Sequence, residues 1–250
     1  MESAIVIEKI QTKAEMNVCL DINTATFEPK YLAFSKYGAS GVKEMLGLEV
    51  QNPFSIYNFL VAKCDEAIVG FAELRNEFPI ANLNWLALDP MQKGKNIGRY
   101  FMQHIIDTTR NNGFSILQLH VYKSNMRARN WMANYPYVYT EERNVCRLIP
   151  NQKSSQPTFT IVNFHQLISD KEKFGFVYIR VLFEKKIIDI ACVNDYLFIP
   201  TGNENLLNIG LELIKSLKLK ELYFFCEKDK QIKLKYEVID EIYSLVMNLK

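Results

Sequence analysis

The chain has 250 residues with 30 Lys and Arg against 28 Asp and Glu, a formal net charge of +2, so it lacks the overall basic footprint of a nucleic-acid binder. This length suits one large or two small domains and buries enough apolar surface to need no disulfide or metal staple. The cysteines, Cys19, Cys64, Cys146, Cys192 and Cys226, are odd in number and contain no C-x-x-C pair. No disulfide framework and no metal site are expected, and a reducing cytoplasm fits best.

The opening MESAIVIEKIQTK has no long apolar core with a cleavage site, and no run approaches membrane-spanning length, so no membrane association is expected. Residues 4–10 read as a strand, and 14–27 carry Met16, Cys19, Leu20 and Ile22 at helical spacing. A helix is predicted over 42–48. Around it, Tyr31, Phe34, Tyr37 and Phe54 either line a pocket or pack beneath a loop. Two strands, 57–63 and 67–75, flank the hairpin turn Lys63-Cys64-Asp65-Glu66.

Next, an apolar strand over 83–88 is stopped by Asp89-Pro90 and runs through a Gly-containing loop into an amphipathic helix over 98–111. That order suits an anion, because the first turn of a helix has unpartnered N–H groups and a partial positive charge. Lys93, Lys95 and Arg99 reinforce the field, and Gly94 and Gly98 let a bulky group approach the backbone. A further strand, 115–122, alternates Ile116, Leu117, Leu119 and Val121 with Gln118 and His120. Asn125-Met-Arg-Ala128 then opens a helical stretch that reaches Tyr135-Pro136-Tyr137.

The segment 89–99, Asp-Pro-Met-Gln-Lys-Gly-Lys-Asn-Ile-Gly-Arg, resembles the acyl-CoA signature Q/R-x-x-G-x-G/A of the GNAT superfamily of N-acyltransferases, and 125–137 resembles its N-x-x-A-x-x-x-Y segment. The element order β-α-β-β-β-α-β is also that of the family. Lys93 stands where Gln or Arg is usual and Asn96 where the first Gly is, although Asn tolerates a left-handed backbone best among non-Gly residues. The resemblance implies an α/β fold, a GNAT-like mixed sheet with flanking helices. It implies acetyl-CoA as co-substrate, held by Leu86, Leu88, Lys93, Gly94, Lys95, Asn96, Ile97, Gly98, Arg99 and Asn125, and an amine acceptor on a small molecule or peptide.

The catalytic groups are less complete. The Tyr that many members use as general acid falls on Met132, so Tyr135 or Tyr137 would substitute if the helix ends early. Glu73, on the strand before the central one, and His120, pointing into the splay between strands, are the candidate proton acceptors. The alternative function is a CoA-binding regulatory or partner subunit without catalysis, motivated by Met132 and Asn96.

Residues 151–157 form a polar stretch ending in Pro, between an acetyl-CoA-binding domain at 1–150 and a C-terminal α/β domain at 157–250. The second part reads as a strand 158–164, a short helix, strands 176–183, 187–193 and 196–200, a helix 203–217, a strand 221–226 and a closing helix 234–249. It resembles a smaller, degenerate GNAT-like lobe. Its loop Thr201-Gly-Asn-Glu-Asn is acidic, which disfavours a pyrophosphate. The expected role of this lobe is to wall the acceptor site; oligomeric state is left open.

Overall fold

The structure, a computed structural model, describes residues 5–32, 35–92, 94–150, 152, 155 and 157–250. The first part runs β1 (Ile5–Lys9), α1 (Lys13–Thr26), α2 (Pro29–Leu32), a 3₁₀ turn (Lys36–Gly38), α3 (Val42–Glu49), β2 (Tyr57–Cys64), β3 (Ala67–Glu77), β4 (Ile80–Leu88), α4 (Ile97–Asn111), β5 (Ile116–Tyr122), α5 (Met126–Met132) and β6 (Val138–Leu148). The second part runs β7 (Thr160–Ile161), α6 (Phe164–Phe174), β8 (Phe176–Phe183), β9 (Lys186–Val193), β10 (Tyr196–Ile199), α7 (Glu204–Leu217), β11 (Glu221–Glu227) and β12 (Tyr236–Asn248).

The strands join in one mixed sheet of order β1-β2-β3-β4-β5-β12-β6-β11-β10-β9-β8-β7. Local chemistry explains its turns and ends. Thr12 caps α1 in a capping box with Glu15, satisfying donors that the first turn leaves bare. The β2–β3 hairpin closes through Asp65 and Glu66, both at positive φ (49° and 69°), as a two-residue turn matched to strand twist requires.

Leu83, Leu117, Leu119 and Leu245 pack under Phe101, Met102 and Ile105 of α4, while Phe59, Val61 and Phe71 on the opposite face pack under Met16, Cys19 and Leu20 of α1 and Leu46 of α3. In the second half, β8–β11 pack under α6 and α7 through Ile179, Cys192, Ile199, Leu207 and Phe224.

Two predicted elements are corrected. The expected strand over 158–164 shrinks to Thr160–Ile161, because Phe164 already starts α6. The expected closing helix over 234–249 is the strand β12. Its apolar residues mimic helical spacing because bulges between Val238 and Asp240 and beside Ser244 interrupt the two-residue period, and because a central strand is covered on both faces.

That strand changes how the halves are joined. β12 comes from the second part of the chain but lies between β5 and β6, antiparallel to both, with Leu245 opposite Leu119 and Ser244 opposite His120. β6, from the first part, pairs in turn with β11. Each half of the sheet therefore takes a strand from the other part of the chain.

The second half also reaches round to the 3₁₀ turn and the residues that follow it. Asn194 Nδ2 donates to Gly38 O at 2.9 Å, Ser40 N donates to Asn194 Oδ1 at 3.0 Å, and Gly41 N donates to Phe174 O at 2.9 Å. Gly175, with φ +65°, lies in this contact; a Cβ there would meet Ser40 Oγ at 2.4 Å.

Candidate functional site

β4 and β5 are parallel neighbours, but their pairing runs only from Ile80↔Ile116 to Leu83↔Leu119. The reason lies on the other side of β4. Opposite β3 the register passes from Trp85↔Glu73 to Leu83↔Leu74, so Asn84 is an extra residue, a bulge that turns the rest of β4 away from β5. A gap opens there. Asp89 N–H donates to Val69 O at 2.9 Å, and the alternation of an antiparallel ladder then points the N–H and C=O of Leu86 and Leu88 into the gap.

At the mouth of the gap stands the N-terminus of α4. Asn96 is its N-cap residue in the left-handed conformation (φ 58°, ψ 7°), and its side chain makes no capping bond. The N–H groups of Asn96, Ile97 and Gly98 have no acceptor among the described residues. An uncapped 15-residue helix with bare donors favours an anion. Gly94, at φ +85°, turns the loop toward it, and Lys95 Nζ bonds Gln92 Oε1 at 2.9 Å. Lys93 lies outside the described residues.

Gly98 also serves the packing of the helix. A Cβ there would stand 2.8 Å from Leu88 Cδ1 and 3.5 Å from Trp131, so its absence lets α4 pack onto β4 and α5. Arg99 and Tyr135 are electrostatic neighbours, and Tyr135 packs edge-on against Trp131.

The opposite face of the sheet, beneath α1 and α2, carries the titratable candidates. Glu73 is fully buried and its oxygens are taken: Lys36 Nζ pairs with Oε2 at 2.8 Å, Tyr37 OH donates to the same oxygen, and Asn84 Nδ2 donates to Oε1 at 2.8 Å. Burial, and then the carboxylate itself, raise the Tyr37 pKa well above its ordinary value, so the phenol stays a donor. Glu73 therefore ties the 3₁₀ turn to the Asn84 bulge, and it has no face toward a substrate.

His120 is placed differently. Its Nδ1 lies 3.0 Å from Ser244 Oγ, which in turn donates to Glu141 Oε2 at 3.5 Å. Shielding by the neighbouring strands, with Arg143, lowers its pKa against the opposing pull of Glu141, which keeps the ring neutral near pH 7. Neither Ser244 nor Glu141 was singled out in the sequence, since both depend on the exchange of β12 and β6.

Two residues beyond His120, on the same face, Tyr122 stacks on Tyr31 of α2 with ring centroids 4.0 Å apart. Of the other aromatics considered, Tyr37 is buried against Trp85, Phe54 is 91% exposed, and Phe34 lies outside the described residues.

Residues 27–134 match the Acetyltransferase (GNAT) family. The chain carries a GNAT acetyltransferase domain. A tandem GNAT protein from the clavulanic acid biosynthesis pathway superposes over 99% of this chain and 99% of its own, with TM-score 0.62 and 10% identity. A candidate acetyltransferase from Thermoplasma acidophilum covers 97% of this chain and 99% of its own, with TM-score 0.57 and 13% identity. No curated protein matches in sequence. At such identities the likeness shows the tandem fold alone.

Within the GNAT domain, Asn125 caps α5 by accepting from Ala128 N at 3.0 Å, which occupies its oxygen and leaves its amide N–H to donate elsewhere. α5 ends at Met132, which is 7% exposed in the core under α4, so Tyr135 and Tyr137 follow the helix instead of extending it. Burial raises the pKa of both phenols, with Arg99 opposing it at Tyr135. The Tyr137 hydroxyl is buried with no partner among the described residues.

The second lobe offers no equivalent anion site. Asn203 caps α7 through bonds from Asn205 N and Leu206 N (3.0 and 3.2 Å), and β10 stays paired with β11 through its last residue, Ile199. Asn96-Ile97-Gly98 and Asn208-Ile209-Gly210 are the same tripeptide in different settings, since 96–98 opens α4 whereas 208–210 lies inside α7.

Proposed function

We propose that the chain transfers an acetyl group from acetyl-CoA to a primary amine of a small molecule, by direct attack in the gap between β4 and β5. The observation that carries this reading is the gap itself, opened by the Asn84 bulge and mouthed by the uncapped α4. Bare N–H groups at Asn96–Gly98 would hold the pyrophosphate, with Lys95 and Arg99 adding positive field. The unpaired backbone of Leu86 and Leu88 and the Asn125 amide would hold the pantetheine arm along the gap. When bound, the thioester supplies an acyl carbon with a good leaving group.

The protein's residues then orient and deprotonate. With the Ser244 hydroxyl turned to Glu141, its oxygen accepts from His120 Nδ1–H and leaves Nε2 as the base that takes the amine proton. The N–C bond forms as C–S breaks, and a Leu88 backbone N–H in the gap stabilises the developing oxyanion. Glu73 has no part in proton transfer.

The test is incubation with acetyl-CoA and a panel of primary amines, following free thiol and the mass of the acetylated product. Thiol release that depends on amine supports the reading. CoA binding with no release on any amine would favour a CoA-binding partner subunit, for which Met132 in the place of the usual Tyr is the motive.

A further inference from the structure

A cavity of about 230 Å³ lies on the His120 face of the sheet where its two halves meet, walled by Tyr31, Tyr122, Tyr223 and Ile239, with Arg147 and Asp240 among its charged residues. β12 supplies Glu237, Ile239 and Asp240, so the pocket exists only because that strand crosses into the first half.

Its charges are uneven. Arg147 is spent between two carboxylates, Glu237 at 2.7 Å and Glu221 at 3.1 Å. Asp240 is almost wholly enclosed and takes hydrogen bonds from Tyr31 OH (2.7 Å), Ser124 Oγ (2.5 Å) and Glu241 N (2.8 Å), all neutral donors. Burial pushes its carboxyl up, but these bonds outweigh it and hold the group ionised. Among the described residues, the cation paired with Asp240 is Lys30, whose Nζ stands 3.8 Å from Oδ2 and 4.6 Å from the centre of the Tyr31 ring, on a half-exposed side chain. An ammonium therefore already sits in this corner of aromatic face and carboxylate, held by a flexible stem that can withdraw.

We propose that this pocket binds a second, non-reacting ammonium of the acceptor, so that the amine substrate is an aliphatic diamine or polyamine. The inference rests on the acyl-transfer reading for what happens at the other end of the molecule. An ammonium held by Asp240 keeps its proton and has no lone pair, so the nucleophile must be a different nitrogen. Tyr122, in the pocket wall, and His120, the base, are two residues apart on one face of β5, about 7 Å along the strand, so the pocket and the base lie within the span of a short diamine. The cavity, at about 230 Å³, is large enough for a chain of four or so carbons.

The probes are 1,4-diaminobutane, n-butylamine and 4-aminobutyrate, which share a length and differ only in the far end. Binding to the full chain is measured by calorimetry without CoA, and thiol release is measured with acetyl-CoA. Diaminobutane is expected to bind at least about 10-fold tighter than butylamine, with 4-aminobutyrate weakest. Asp240→Asn is expected to erase the diamine advantage. Because Asp240 is enclosed, Lys30→Met provides a second variant on a half-exposed side chain. Removing the resident cation should widen the preference for diamine over butylamine about three-fold or more.

Equal binding of diamine and butylamine, preference for 4-aminobutyrate, or an unchanged preference in Lys30→Met would overturn the inference. Diamine-selective binding with no thiol release would leave the pocket standing and remove acyl transfer. Thiol release with the opposite preference would do the reverse.

Discussion

Replacing Glu73 separates a structural from a catalytic role for this carboxylate. Glu73→Ala would strand the Lys36 ammonium, which is only 16% exposed, and the fully buried Tyr37 hydroxyl, and it would free the Asn84 amide. Breaking a buried ion pair from one side typically costs about 3–5 kcal/mol, most of it the penalty of the uncompensated partner. In a chain of this size each kcal/mol lowers Tm by about 2–4 °C, so a drop of about 6–20 °C is expected. Glu73→Gln keeps the shape but not the charge, and should fall between wild type and Glu73→Ala.

Removing both charges, as Glu73→Gln with Lys36→Met, should recover part of the loss, because no charge is then left buried. The assay is thermal melting beside thiol release, with activity read well below the melting range. A general base would behave oppositely: Glu73→Gln would melt like wild type while turnover fell by a factor of about 10² or more. That pair of results would refute the assignment of Glu73 to the bulge.

Three further outcomes are expected. A chain ending at residue 152 loses β12 and with it buried Ile242, Leu245 and Met247, leaving β5 and β6 without the strand between them; it should aggregate or fail to melt cooperatively, and a soluble, cooperatively folded fragment would contradict the strand exchange. The lowered His120 pKa places the acid limb of kcat/KM below the ordinary imidazole value of about 6.5, and His120→Asn should abolish that limb; since protonation is disfavoured in the fold, stability too is lost as pH falls below about 6.5, and an unmoved limb in the variant would exclude this base. Met132→Tyr adds bulk to a well-filled core and should destabilise by about 1–3 kcal/mol, whereas an unchanged Tm with faster turnover would show room for a phenol beside the sulfur.

Much of the first half could be read from the sequence because its signals are local. Alternation marked β5, helical spacing marked α4, and the tolerance of Asn for the left-handed region foretold the conformation of Asn96. The bulge at Asn84 carries no such signal; it is fixed by Glu73, Lys36 and Tyr37, which come together only in the folded chain. β12 is hidden in the sequence for a related reason. Leu234, Ile242, Leu245 and Leu249 fit a helix by spacing, and the opposing hint lay in the β-branched and aromatic residues Tyr236, Val238, Ile239, Tyr243 and Val246. With a helix expected over 234–249, Ser244 beside His120 and Asp240 beside Tyr31 are out of reach of the sequence, and both contacts span more than a hundred residues.

The central claim is that acetyl-CoA binds once per chain, at α4 and the β4–β5 gap, and it is tested most directly by calorimetric titration of CoA into the full chain and into two variants. Asn96→Asp places a negative charge at the uncapped α4, whereas Asn203→Ala removes only the cap of α7. One site per chain is predicted, weakened about 10-fold or more by Asn96→Asp and unchanged by Asn203→Ala. Wild-type affinity in Asn96→Asp, or loss of binding in Asn203→Ala, would contradict the account.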